Sequence, residues 1–486
     1  MSKNFKIIVG VITALVIAIP LLLPYPVEII DVLTLKSLPD FSVHIPVSRI
    51  LFEPLFGIML FLNRGLYAID EMFILVQWVV VLFMIYTLVK YLTSKDGKRG
   101  KQFLIGQIVN TPFVIGVWFT FFVIILFLSP YFPSNTIVNN SSDKILVTTH
   151  SHTQFSHDGL ISQQNLWKWH KYNNFDAFFI TDHNTHNETL DFVNAQREGK
   201  FPTEPLVMCG EEFSGSNHLS LLGLKHNFIT RGSSDSAVIA ETRADDGAVI
   251  VNHWFDGEHK TLEYYRDLGV DGYEIANSAT ETSYDRAVYK KIKSFCENNN
   301  LIMNAGLDFH GYGNVCTMWN AMEIPGWHNL SAEEKENSIL NIIKSRDQNK
   351  LQVLEYHDRP YYKNANLFWI IPVHFFNYFR TLNVYQVISW IVWILLISFV
   401  VLKVKGNENL KNIFTDRNIL LISGFAGGLL MLAMGINYYL EIAKVAGSDN
   451  DIYVEYSNLL FYIGAAYLIY SSVVGYFSFV RNKKIN

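Results

Sequence analysis

Eleven of the fifteen histidines lie between His150 and His310, and most sit with carboxylates or small polar residues in short clusters. The clusters are His150-Ser-His152 with Ser156-His157-Asp158-Gly159, then Thr181-Asp182-His183, Gly210-Glu211-Glu212, His218, Asn252-His253, Glu274 and Gly306-Leu-Asp308-Phe-His310. Imidazole and carboxylate suit zinc, manganese or iron, so groups of this number brought to one place can hold two or three divalent ions. Such ions serve hydrolysis by activating water and by neutralising the oxygens of a phosphoryl group. A single His-x-His pair would mean little, because side chains alternate along a strand and any two polar residues so spaced share a face. Several clusters in equivalent positions mean more. His170, His226 and His259 stand apart and are read as surface or supporting residues.

Nearly every cluster follows a short apolar run: Lys144 to Thr148, Ala177 to Ile180, Leu206 to Met208, Ser220 to Leu224, Ala248 to Val251, Gly272 to Ile275 and Leu301 to Ala305. These runs have strand length, are bounded by polar residues and are separated by helix-length segments. The alternation predicts an α/β domain, a barrel or barrel-like sheet, in which side chains at the strand ends converge on one mouth. The domain is expected over residues 133–365, between membrane regions at 1–132 and 366–486.

In their order, His-x-His with Ser and Asp-Gly, Thr-Asp-His, Gly-x-Glu, a lone His, Asn-His and Gly-x-Asp-x-His resemble the motifs of the polymerase and histidinol phosphatase (PHP) family over residues 145–315. The resemblance implies a distorted seven-stranded α/β barrel with two or three metal ions that hydrolyses phosphate esters. By motif position it implies His150, His152, His183, Glu212, His218, His253, Asp308 and His310 as ligands, with Glu212 bridging. Asp158 matches the acidic position of the first motif with one extra residue before it, so His157 or Asp158 is the ligand there. Glu211 competes with Glu212, and the spacing after Gly210 favours Glu212. Asp182 is placed to orient His183 or to accept a proton, and Asp158 or His157 to protonate the leaving oxygen. Arg231, Arg243, Lys260 and Arg286 are read as solvated surface charges rather than phosphate ligands.

Composition sets the surroundings. Only 17% of the 486 residues are charged and 50% are apolar, against about 25% charged in soluble globular chains. Runs near 7–25, 73–93, 104–128, 384–402, 418–440 and 457–479 are long and apolar enough for six membrane spans. The run 50–63 is shorter and carries Glu53 and Pro54, which suits an interfacial or re-entrant helix. Phe368, Trp369, Phe375, Phe376, Tyr378 and Phe379 form an aromatic belt where the chain returns to the bilayer.

Lys3 and Lys6, Lys90 to Lys101, Lys403 to Arg417 and Arg481 to Lys484 fall on one side of a six-span arrangement, while the loop holding Asp449, Asp451 and Glu455 falls on the other. Basic loops are retained in the cytoplasm. Both termini are therefore expected inside a multi-pass membrane protein and the catalytic domain outside. Cys209, Cys296 and Cys316 form no C-x-x-C pair and are read as buried thiols.

A net charge of -5 argues against nucleic acid as a partner. The expected partners are the bilayer and a phosphate ester, whether a lipid head group, a lipid-linked phosphate or a soluble ester. Competing readings are a phosphodiesterase or nuclease acting on soluble nucleotides, and a metal-binding sensor or transporter without turnover. The apolar runs hold almost no ionisable residues, which disfavours a transporter. A reporter fused after Asn486 should be active only on the cytoplasmic side; activity outside would overturn the orientation.

Overall fold

The computed structural model describes residues 3–62, 69–93, 101–256, 260–278, 286–313, 315–360, 367–445 and 450–483. Of the residues singled out above, Lys95 to Arg99, His259, Asp449 and Lys484 lie outside the described residues. Strands, numbered along the chain, are β1 (Glu28–Asp31), β2 (Lys36–Ser37), β3 (Phe41–His44), β4 (Thr136–Asn139), β5 (Lys144–Thr148), β6 (Ala177–Ile180), β7 (Leu206–Ser214), β8 (His218–Leu222), β9 (Ala248–Val251), β10 (Gly272–Asn277), β11 (Ile302–Gly306), β12 (Met318–Glu323) and β13 (Leu351–His357). All seven apolar runs expected to be strands are β5 to β11, six of them within one or two residues, while β7 runs six residues beyond the expected Met208 to Ser214.

The expected seven-stranded barrel is corrected by the pairing. Eleven strands form one mixed sheet in the order β11-β10-β9-β8-β7-β6-β5-β12-β13-β1-β2, while β3 and β4 make a separate ribbon. β5, β6 and β7 are parallel, β8 is antiparallel to both its neighbours, and β9, β10 and β11 are parallel again. The free side of β5 is taken by antiparallel β12 instead of β11, so the ladder does not close.

Side-chain amides satisfy β11 where a closing strand would otherwise lie. Asn320 of β12 donates Nδ2 to Ala305 O (2.8 Å) and accepts from Ala305 N (2.7 Å). Gln348 makes the same pair of bonds to Met303 O (3.1 Å) and Met303 N (2.7 Å). Each amide copies the donor and acceptor of a peptide group, which buried backbone requires of its partner. Beyond these amides, extensions of β5 and β11 touch through a parallel bridge between Ser151 and Phe309, with His152 N donating to Phe309 O (2.9 Å) and Asp308 N to His150 O (3.2 Å). That bridge sets the His150/His152 segment beside the Asp308/His310 segment.

The sheet also draws on chain before residue 133. β1 pairs antiparallel with β13 and with β2. Tyr289 Oη and Lys293 Nζ, from the helix Arg286–Asn299, hold the turn after β1 by donating to Val32 O and Leu33 O, both at 2.7 Å. Surrounding helices begin at recognisable caps: Ser162, Ser234 and Thr261 each accept a bond from a first-turn N–H, and Ser331 with Glu334 forms a capping box. The three cysteines are free and buried.

Among the described residues, five helices are long and apolar enough to cross a membrane: Phe5–Leu22, Phe103–Tyr131, Val384–Gly406, Arg417–Ile442 and Ile452–Ser478. They match five of the six expected spans. The sixth expected run, 73–93, lies within the helix Ile69–Thr93. Residues 47–62 form three short helical pieces, Val47–Leu51, the π-turn Glu53–Gly57 and Ile58–Leu62. Their buried Arg49–Glu53 ion pair (2.8 Å) is joined by Tyr378, which donates Oη to Glu53 Oε1 (2.7 Å) and accepts from Trp390 Nε1 (2.9 Å). In the expected aromatic belt, Trp369 and Phe376 are exposed while Tyr378 is buried in this network.

Asn320→Leu should leave the N–H and C=O of Ala305 without partners at a cost of about 1–3 kcal/mol. A thermal midpoint unchanged from that of the parent chain would refute the stitching role.

Candidate metal centre

The strand ends deliver the clusters to one mouth. His150 and His152 follow β5, Asp182 and His183 follow β6, Glu212 lies in the last half of β7, and His218 opens the antiparallel β8 beside it. His253 follows β9, Glu274 is in β10, and Asp308 and His310 follow β11. Alternation along β7 separates the two neighbouring acids. A bridge between His183 and Glu212 turns Glu212 toward the mouth, whereas Glu211 is paired with His186 on the other side, where His186 Nε2 meets His226 O.

Glu212 is the hub. Its Oε2 lies 3.1 Å from His150 Nε2, 3.2 Å from His152 Nε2 and 3.3 Å from His183 Nε2. Its Oε1 lies 3.0 Å from His218 Nδ1 and 3.1 Å from His253 Nε2, and accepts a bond from Asn252 Nδ2 (2.8 Å). Asp308 Oδ1 stands 3.2 Å from His152 Nε2 and 3.4 Å from His150 Nε2. Among the described residues, three groups of side chains gather nitrogen and oxygen atoms within 4.8 Å of one another: His150, His152, Glu212 and Asp308; His152, Asp158, His183 and His310; and His183, Glu212 and His218.

The donor set fits cations. His150 Nε2 and His152 Nε2 face each other at 3.0 Å, both aimed at the same two carboxylates. Glu212 Oε2 and His310 Nε2 are buried and make no aligned hydrogen bond, although buried polar atoms of this kind are normally satisfied. Each imidazole is held from behind, as metal-ligating histidines usually are. His150 Nδ1 meets Glu274 Oε1 (2.8 Å), His152 Nδ1 meets Ser156 Oγ (3.2 Å) and His183 Nδ1 meets Ser214 Oγ (3.0 Å). Glu274 thus supports the site without joining a ligand group, and its Oε2 also accepts from His253 N (3.0 Å).

At the first motif, Asp158 faces the cluster, with Oδ2 at 2.9 Å from His310 Nε2 and 3.7 Å from His183 Nε2. His157 lies at the rim, its side chain 56% exposed, with its ring against that of His183 (centroids 4.6 Å apart) and Nε2 at 3.8 Å from Asp158 Oδ2. Asp182 does not touch His183; both its oxygens accept from Thr153, one from N–H and one from Oγ1. Its place is under the loop that carries Asp158. Of the four cations considered, Arg243 is paired with Asp271 (2.9 Å) and Lys260 lies over the Tyr264 ring. His170 is buried against Phe178, with Nδ1 bonded to Leu166 O.

Close approach at the site excludes a side chain at Gly306 and at Gly159. A Cβ at Gly306 would strike the Glu274 carboxylate, and one at Gly159 would strike Thr153 O. His253 (φ 22°) and Asp308 (φ 51°) adopt left-handed backbone, which costs a non-glycine residue about 1–3 kcal/mol. Such strain clusters where side-chain placement matters.

Charge is balanced inside the cluster. Burial opposes a proton on His150 and His152, yet the surrounding carboxylates outweigh it; His150 is raised well above the usual imidazole range and His152 to about 9. Burial alone would raise Glu212, Asp308 and Asp158, but the imidazoles around them hold all three well below the usual carboxylate range. Burial, helped by the neighbouring imidazoles His152 and His218, holds His183 well below. Burial raises Asp182 to about 6 against its bonds from Thr153.

No family model and no curated protein matches the chain. Among solved structures, it is similar to a two-domain protein from Bacteroides vulgatus described as containing a predicted PHP-like metal-dependent phosphoesterase, at 18% identity over 44% of this chain and 65% of that one, with a TM-score of 0.34. It is also similar to a protein from Bifidobacterium adolescentis described as a metal-dependent phosphoesterase, at 15% identity over 35% of this chain and 88% of that one, with a TM-score of 0.28. A third is PsfC from Pseudomonas syringae, at 16% identity over 49% of this chain and 98% of that one, with a TM-score of 0.32. The chain spans about two thirds of the Bacteroides protein.

Because His152 is protonated below about pH 9 in the ion-free protein, and an imidazole must lose its proton to ligate a metal, ion binding should release protons at pH 7. Affinity should rise with pH toward 9. Calorimetry in buffers of different ionisation enthalpy measures the release; heats independent of buffer would contradict it.

Proposed function

We propose that this protein is a membrane-anchored, metal-dependent phosphoesterase. The observation that carries the proposal is the buried carboxylate of Glu212, set among five imidazoles with Asp308 and Asp158 close by. His150, His152 and Asp308 would hold one ion with Glu212. Asp158, His183 and His310 would hold a second, and His218 and His253 lie at the other Glu212 oxygen. Divalent ions bound there would supply activated water and charge neutralisation for phosphoryl transfer. The metal is zinc, manganese or iron by donor type.

The chain's own residues do the rest. Asp182 holds Thr153 and so fixes the turn that aims Asp158. His157, at the open rim beside Asp158, is placed to give a proton to a departing oxygen. Ser156 donates Oγ to Asp158 Oδ1 (2.9 Å), which orients that carboxylate.

The substrate we propose is a phosphate ester presented at the bilayer, a lipid head group or a lipid-linked phosphate. Supporting this, aromatic rings lead from the cluster to the apolar helices: His310 to Tyr312, Tyr312 to Tyr456 and Phe127, and Phe127 to Tyr438. The basic residues Lys3, Lys6, Lys403, Lys405, Arg417 and Arg481 lie at the ends of apolar helices remote in sequence from the sheet connections. This supports an extracytoplasmic sheet domain with both termini in the cytoplasm.

The test uses the full chain in bilayer discs with Mn2+, assayed on p-nitrophenyl phosphate, bis-p-nitrophenyl phosphate and lipid phosphates. Turnover that requires the ion and is lost by more than about 100-fold in His150→Ala/His152→Ala is expected. A folded chain that binds ions and hydrolyses none of these esters would overturn the proposal.

A further inference from the structure

The loop that carries Asp158 is gripped from the membrane side. Asn450 stands just before the helix Ile452–Lys483, and its Nδ2 donates to three backbone carbonyls, Gln154 O (2.8 Å), Ser156 O (2.7 Å) and Gly159 O (2.9 Å). These carbonyls flank Asp158 on both sides. Three carbonyl oxygens turned to one point repel one another, and the amide with its two hydrogens is the group that holds them together. The same residue accepts from Tyr453 N through Oδ1 (3.4 Å), which ties it to the first turn of the helix. Asn450 is buried, so water does not compete for these bonds.

The second ligand loop is attached in the same way. Gly313 N donates to Leu126 O (2.7 Å), at the end of the helix Lys101–Leu128, and Tyr312 packs on Tyr456. Between the two attachments, Leu160 N donates to His310 O (2.8 Å). Asp158 and His310 therefore belong to loops whose outer bonds end on membrane helices. His150, His152, Glu212 and Asp308 are held by the sheet and by the bridge between Ser151 and Phe309.

We infer that Asn450 is a positioning residue for Asp158, so that the ion group His152, Asp158, His183 and His310 takes its final geometry from the last membrane helix. The group His150, His152, Glu212 and Asp308 shares His152, whose Nδ1 meets Ser156 Oγ on the held loop, but its other three members are placed by the sheet and by the bridge between Ser151 and Phe309, so it depends on Asn450 far less. This inference rests on the proposed metal centre, and it makes the two groups separable: one is built by the sheet, the other is completed by the bundle.

The experiment is Mn2+ binding to the full chain in bilayer discs, by calorimetry and by the electron paramagnetic resonance signal of bound ion, for the parent, Asn450→Ala, Asn450→Ser and Ser457→Ala. Ser457 lies on the same helix and donates to Gly435 O (3.1 Å), away from the loop. In Asn450→Ala one class of site should weaken by about 10- to 100-fold, the range for loss of a supporting bond behind a ligand. The other class should weaken far less, and both classes in Ser457→Ala should match the parent. If Asn450→Ala fails to fold, Asn450→Ser carries the test, since one hydroxyl donates to at most one of the three carbonyls.

Parent-like binding in the Asn450 variants, or equal weakening of both classes, would overturn the inference. A parent chain that binds ions and lacks turnover would remove the proposed activity and leave this comparison intact.

Discussion

A carboxylate buried without compensation is among the least favourable groups a protein can hold, and Glu212 is fully buried at the mouth of the sheet. It persists there because imidazoles from the ends of β5, β6 and β9 and from the start of β8 surround it, each at 3.0–3.3 Å. The rest of the site follows from this constraint. Removing any one of these imidazoles would leave charge uncompensated, and adding a cation would satisfy oxygen and nitrogen atoms that otherwise face one another. A structural ion-pair network would normally exhaust its hydrogen bonds, whereas here Glu212 Oε2 and His310 Nε2 have none that is aligned.

The sheet is arranged to make that convergence. Six of its central strands run in one direction with fully buried apolar faces, and β8 reverses so that His218 comes back to the mouth beside Glu212. Closure is partial, by Asn320 and Gln348 at the body of the sheet and by one bridge at the mouth. Strained backbone at His253 and Asp308 is tolerated where it aims ligands.

The apolar helices and the sheet are not independent layers. β1 follows the first apolar helix and extends the sheet through β13, and Asn450 and Leu126 bind the two ligand loops. The buried Arg49–Glu53–Tyr378 network binds the short helical segment after β3 to the helix that returns the chain to the apolar bundle.

The residue types, the seven strand-length runs and five of the apolar spans were legible because each is written in a short window: ligand chemistry, burial periodicity and length against bilayer thickness. The preference for Glu212 over Glu211 came from the spacing of the motif that the chain resembles, whereas the register of β7 is what turns the two side chains to opposite faces, Glu212 to the histidine cluster and Glu211 to His186. Asp158 over His157 was open in the sequence for a like reason: a turn, not a period, aims the side chain. Asp182 was expected to orient His183 or to accept a proton, and both its carboxylate oxygens accept from Thr153. The open eleven-stranded sheet, the recruitment of residues 28–37 and the hold of Asn450 on Gln154, Ser156 and Gly159 had no local signal at all. They join residues that are hundreds of positions apart, and such partners are selected by packing and by the need to satisfy buried backbone groups, which only the assembled chain defines.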